Sequence, residues 1–225
     1  MTILLVLATF AVFLTIEYFR KGKPAEQPAV QGRQDVISIP KLHPAYVSGF
    51  EMRGDLRYHP GHTWALSESP TKVRVGLDDF AARLVGKADV LVLPRRGQWI
   101  RQGQKFATLV REGKKADLVS PIEGEITDIN EAALKDASLP GRDPYGEGWL
   151  MTVMSPDMKT NFRNLFNGSL ARQWMQEAAD RLRLRIPATA MAGAVAQDGG
   201  VALTDLSGQI PDEKWAEVAH EFFLT

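Results

Sequence analysis

Two residue sets carry chemical potential in this chain. The first is LVREGKKADLVSP, residues 109–121, where Arg111, Lys114 and Lys115 cluster between two strand-like runs. A lysine at the tip of a hairpin is an accessible amine, and an amine so presented can accept an acyl group and carry it on a long arm. The second set is HPGHTW, residues 59–64, followed by the adjacent carboxylates Asp78 and Asp79. His59 and His62 suggest a metal pair, but two histidines without a third ligand are a weak signal. The simpler expectation is a packed or hydrogen-bonded His62 beside a core tryptophan, Trp64. Asp78 and Asp79 point to different azimuths if they lie on a helix, so they do not form a carboxylate pair. Asp78 reads better as a helix start, where a carboxylate meets free backbone N–H groups. No phosphate loop, nucleophile elbow or metalloprotease helix is present, and no catalytic residue is expected.

These side chains need a frame. From about Arg57 to Met154 the chain alternates short strand-sized runs (KVRVGL, ADVLVLP, ADLVSP, GEITDI) with glycine and proline, the texture of a compact antiparallel β-domain. LDDFAARLVG, residues 77–86, interrupts it as a short helix ending at Gly86. Gly97 and Gly103 mark turns that need positive φ, and Gly146 and Gly148 a tight connection before a strand. Beyond Ser155, Phe162, Leu165, Phe166, Leu170, Trp174, Ala178 and Leu182 mark an apolar helix face. Gly168 divides it into two helices, with Asn167 or Ser169 as the cap. A turn follows at Asp198-Gly199-Gly200 with a strand pair about it, and a last helix opens at Pro211 with Trp215, Val218, Phe222 and Phe223 on one side.

Composition narrows the classes. The chain is 44% hydrophobic and 24% charged, which is globular rather than disordered. Its 27 basic and 27 acidic residues give no basic excess, so nucleic acid is not an expected partner. The absence of cysteine excludes disulfides and thiolate metal sites. Residues 3–16, ILLVLATFAVFLTI, carry no charge, and counting on to Phe19 gives a stretch near the roughly 17–25 residues that span a bilayer. Arg20, Lys21 and Lys23 follow it, so the positive-inside rule places the rest of the chain in the cytoplasm, on a single-pass anchor in the inner membrane. A cleaved signal peptide or a buried core helix are the rival readings of that segment.

YHPGHTW (58–64), VGLDDFAARLVG (75–86), LPRRGQWIRQGQKFATL (93–109), SPIEGEITDIN (120–130) and DPYGEGWL (143–150) stand in an order and spacing that resemble the H protein of the glycine cleavage system, in the lipoyl/biotinyl-domain superfamily. The resemblance implies a mainly β, lipoyl-domain-like flattened barrel (a barrel-sandwich hybrid) with C-terminal helices, to which the apolar N-terminal segment adds one expected transmembrane helix. The expected organisation is an anchor at 1–20, a linker at 21–54, an H-protein-like domain at 55–184 and a small extension at 185–225. The resemblance also implies a lipoyl lysine seven residues after Phe106 and eight before Pro121, and both counts land on Gly113. Lys114 is the displaced candidate for attachment. A one-residue shift along a strand turns a side chain to the opposite face, and a modifying enzyme that reads the hairpin as a rigid shape discriminates against it.

Three functions follow as expectations. One is a non-catalytic, membrane-tethered module that carries no lipoate and docks a glycine-cleavage or lipoate-related enzyme. Another is a lipoyl carrier modified at Lys114. The third is a membrane scaffold with an unrelated partner. The basic tip is expected to be a solvated hairpin end.

Overall fold

The computed structural model describes Thr15, residues 45–186 and residues 205–224. The chain divides into two compact units, Met1–Lys41 and Leu42–Thr225, and the architecture below is that of the second. The expected anchor at 1–20 (Thr15 apart) and the turn at 198–200 lie outside the described residues. Among the described residues no helix is long and apolar enough to cross a membrane.

Strands β1 (Ala45–Val47) and β2 (Phe50–Met52) form an antiparallel hairpin. Its two turn residues, Ser48 and Gly49, have φ of 51° and 90°, the left-handed pair that matches the twist of the flanking strands. Phe50 and Met52 are buried, and the Phe50 ring lies 4.9 Å from Phe80. Two apolar side chains thus hold residues 45–52, within the stretch expected to be linker (21–54), on the folded body.

The sheet system follows: β3 (Arg57–His59), β4 (Thr63–Ser67), β5 (Lys72–Leu77), then helix α1 (Asp79–Val85). Strands β6 (Val90–Val92), β7 (Trp99–Ile100), β8 (Lys105–Arg111), β9 (Lys114–Val119) and β10 (Gly124–Ile129) precede the short helices α2 (Glu131–Lys135) and α3 (Leu139–Arg142). Strand β11 (Met151–Met154) and helices α4 (Met158–Arg163), α5 (Gly168–Arg185) and α6 (Asp212–Phe223) complete the order. A six-stranded sheet runs β3-β4-β5-β11-β10-β7 and a three-stranded sheet runs β6-β8-β9. All the pairings are antiparallel. The expected mainly β fold with helices is what forms.

Alternation explains the core. Val73, Val75, Leu118, Ile126 and Val153 are fully buried, each on the inward side of a strand of period two. Trp64 and Gly76 pair directly across β4 and β5, and the indole occupies the place a Cβ on residue 76 would take. Its Nε1–H donates to the Pro144 carbonyl at 3.1 Å, which lets a buried indole keep its polar end satisfied. Gly97 and Gly103 have the expected positive φ, 79° and 78°.

The helical tail breaks at residues 164–167, where Phe166 pairs with Tyr58: Tyr58 N–H donates to the Phe166 carbonyl at 2.9 Å and Phe166 N–H to the Tyr58 carbonyl at 2.8 Å. Asn167 is the N-cap of α5, although its side chain makes no capping bond. Trp174, Ala178 and Leu182 face inward as expected, but Leu170 is 55% exposed. Helix α6 opens after Pro211 and buries Trp215, Val218, Phe222 and Phe223.

Candidate functional site

Strands β8 and β9 meet at a two-residue turn, with Arg111 paired to Lys114 and Val110 to Lys115. Glu112 and Gly113 have φ of 48° and 82°, the turn geometry in which a glycine is unstrained and other residues are not. Gly113 thus stands at the apex, where a Cβ would meet nothing within 4 Å. The apex is open and carries no amine.

Lys114, the next residue, begins β9, and its side chain lies against the C-terminal segment. Its Nζ donates to the carbonyls of Ser207 (2.8 Å) and Ile210 (2.9 Å) and pairs with Asp212 Oδ1 at 3.0 Å. The ammonium also sits 5.7 Å from the centre of the Trp215 ring, within reach of a cation–π contact. Trp215 Nε1–H donates to the Lys115 carbonyl at 2.7 Å. Arg111 reaches the same segment: its two terminal nitrogens grip the Asp205 carboxylate, Nη2 at 2.6 Å from Oδ2 and Nη1 on Oδ1. That guanidinium holds the Asp205 carboxyl below its usual range. The side chains of Arg111 and Lys114 are only 14% and 12% exposed, so the expected solvated basic tip is corrected. A bidentate guanidinium–carboxylate pair and two carbonyls accepting from one ammonium outcompete water here. Lys115 is exposed.

Removing the Lys114 cation strands two inward-facing carbonyls. Asp212 is 89% exposed and its ion pair adds little, so the loss comes from the two charge-assisted bonds to the carbonyls. Lys114→Ala is expected to lower the unfolding free energy by about 2 kcal/mol, read by denaturant titration.

The second residue set has a different geometry. His62 (φ 58°) closes the β3–β4 turn, donating N–H to the His59 carbonyl at 3.0 Å. Its Nδ1 lies 2.9 Å from Asp78 Oδ2, and Asp78 Oδ1 accepts the Ala81 N–H at 2.8 Å. Asp78 is therefore both the expected N-cap of α1 and the orienting group for a histidine. Both side chains are completely buried. The imidazole stacks on Phe80, 3.9 Å between ring centres, with Trp174 at 4.7 Å and Phe222 at 6.1 Å. The tryptophan beside His62 is Trp174 rather than the expected Trp64, whose ring neighbours Tyr145 and Gly76 instead. His62 Nε2 is buried with no hydrogen-bond partner. Asp79 is diverted to Arg83 at 2.8 Å and to the Glu51 N–H at 2.7 Å, so the two aspartates do not act as a pair.

The suggested His59–His62 metal pair does not form a site: among the described residues no group of three or more histidine or carboxylate side chains is arranged to hold an ion. His59 Nδ1 instead accepts the Gly61 N–H at 3.0 Å. Burial, helped by the neighbouring His62, pushes its pKa down from 6.5 to about 4. As pH falls through 6.5 the unfolded chain takes this proton first, so stability is lost between about pH 6.5 and 4 and levels off below. The loss is of order 3 kcal/mol. His59→Gln is expected to flatten that part of the stability–pH curve relative to the unaltered chain, measured by urea titration at pH 7.5, 5.5 and 4.5.

The sequence motifs did not show where residues 205–224 dock. The amphipathic pattern of α6 predicted that it packs, and nothing local named Lys114 and Arg111 as its receptors.

A family model described as glycine cleavage H-protein matches residues 56–178. A probable glycine cleavage system H protein of Aeropyrum pernix is 36% identical over 108 residues, 48% of this chain and 75% of that one. The glycine cleavage system H protein of Thermus thermophilus is 36% identical over 104 residues, 46% of this chain and 80% of that one. A crystal structure of a glycine cleavage system H protein from Mycobacterium marinum aligns at 30% identity with a TM-score of 0.44, over 47% of this chain and 87% of that one. With the family match running from Leu56 to Ala178 over more than half of its residues, the chain belongs to the glycine cleavage H-protein family.

Proposed function

We propose that this chain is a non-catalytic H-protein-like module that acts by docking a protein partner, a glycine-cleavage or lipoate-related enzyme, and carries no lipoate itself. The observation that supports this most is at the hairpin. Gly113 stands where the family resemblance puts the modified lysine, and the amine beside it, on Lys114, is held by two carbonyls and a carboxylate of the same chain. The residues at the family position do not fit a lipoyl arm: Gly113 has no side-chain amine to form the amide, and the Lys114 amine beside it points at residues 207–212. The uncharged segment 3–16 and the cations after it support the further reading that the module is tethered to the inner membrane by a single-pass anchor, with the folded domain in the cytoplasm.

The test is intact mass and peptide mapping of the chain expressed at native level in its own host with lipoate supplied. An unmodified peptide spanning residues 112–117, with the N-terminal segment still attached and recovered in the membrane fraction, is the expected result. A lipoyl increment on Lys114 or Lys115 overturns the docking-only reading and makes the chain a carrier. Loss of the first twenty or so residues removes the tether.

A further inference from the structure

The geometry points to a role for residues 205–224 that the family match, ending at residue 178, does not cover: they form a cap in cis on the β8–β9 hairpin, anchored by Lys114, which withdraws that amine from reaction. An ammonium has three N–H bonds. At Lys114 two of them donate to the Ser207 and Ile210 carbonyls of the cap, the charge pairs with Asp212 Oδ1, and the Trp215 ring lies 5.7 Å from the ammonium. An amine attacks an acyl group through its lone pair, which requires loss of one of those protons and a clear approach along its direction. Here two carbonyls, a carboxylate and an indole crowd Nζ, and the side chain is only 12% exposed.

The cap is built to stay closed. Asp205 locks its start to Arg111, and Leu206 N–H donates to the Arg83 carbonyl at 2.9 Å. Trp215 Nε1 ties its middle to β9, and Phe222 and Phe223 close its end as fully buried side chains. The hairpin face thus fits a helix with a carboxylate in its first turn and an indole on the next, and its occupant is this chain's own α6. This assignment stands on contacts alone and holds whether or not the docking function does.

The experiment is trace acetylation of the full chain with acetic anhydride under native conditions, read lysine by lysine after peptide mapping. Each labelling event forms an amide, expels acetate and gives a proton to water, so its rate reports free amine. Lys114 is expected to label at least about tenfold more slowly than its exposed neighbour Lys115. In the full chain carrying Asp212→Ala and Trp215→Phe, which removes one acceptor and the indole N–H while keeping an aromatic ring, Lys114 is expected to speed up at least about threefold, with Lys72 and Lys159 unchanged. Equal labelling of Lys114 and Lys115 in the unaltered chain overturns the cap. So does an unchanged Lys114 rate in the variant, or an acceleration shared by every lysine, which would make these contacts props of the whole fold.

Discussion

Phe222→Ala is expected to lower the unfolding free energy by about 4 kcal/mol, near the middle of the range for emptying a buried aromatic site. Phe222 is 1% exposed, with Phe80 at 5.1 Å and His62 at 6.1 Å between ring centres and the Arg181 guanidinium 5.6 Å from its ring. These neighbours come from α1, the β3–β4 turn and α5, three separate elements that cannot all move inward to fill the void. The cost therefore includes a cavity as well as lost transfer energy. Equilibrium urea unfolding measures it, and an unchanged slope against denaturant shows that the denatured state is not what changed. Leu184→Ala serves as the control on the same tail, since Leu184 is 86% exposed and its loss is expected to stay within about 0.5 kcal/mol. A Phe222→Ala cost below about 1 kcal/mol would mean that α6 does not share the core, and the cap on Lys114 would lose its closing end.

The sequence and the structure agree where the governing signal is local. Strand period, the Asp78 cap, the start of α6 at Pro211 and the positive-φ glycines each depend on a few neighbouring residues. The apex position of Gly113 follows from the Glu112-Gly113 turn. What escaped was pairing across distance. Lys114 and Ser207 are separated by 93 positions, and an apolar helix face states that it will be buried without stating against what. The β1–β2 hairpin escaped for another reason: strands of three residues around Ser48-Gly49 are too short to show a period among the prolines that precede them. Leu170 fitted the helical spacing yet faces water, because α5 has only just begun there and its first turn extends past the body it packs on. His62 was legible as a buried, bonded histidine. Its partner Trp174 was not, since adjacency in sequence favoured Trp64 and a left-handed φ at His62 turns the ring toward the helices instead.

Asp78→Ala is expected to be as costly as Phe222→Ala, about 4 kcal/mol, for a reason that packing alone does not supply. One carboxylate does two tasks: Oδ1 caps α1 through the Ala81 N–H and Oδ2 accepts from His62 Nδ1. Losing the cap costs about 1 kcal/mol. Leaving a buried imidazole N–H without an acceptor costs about 1 to 3 kcal/mol more, and the space left by the carboxylate adds to both. Rotation of the ring offers no rescue, because Nε2 already lacks a partner and the stack between Phe80 and Trp174 fixes the plane. Asp78→Asn separates the two tasks. Its amide oxygen keeps the cap, and its NH2 faces Nδ1, which can accept only if the imidazole proton moves to Nε2, where nothing receives it. Asn is therefore expected to cost about 2 kcal/mol, close to the price of one unsatisfied buried donor. Denaturant titration of both variants at pH 7.5 distinguishes the accounts. A loss of only about 1 kcal/mol in Asp78→Ala with none in Asp78→Asn would make Asp78 a helix cap and nothing more. The expected pair of values makes the buried His62–Asp78 contact a fixed strut on which the β3–β4 turn, α1 and, through Phe222, the cap over Lys114 all rest.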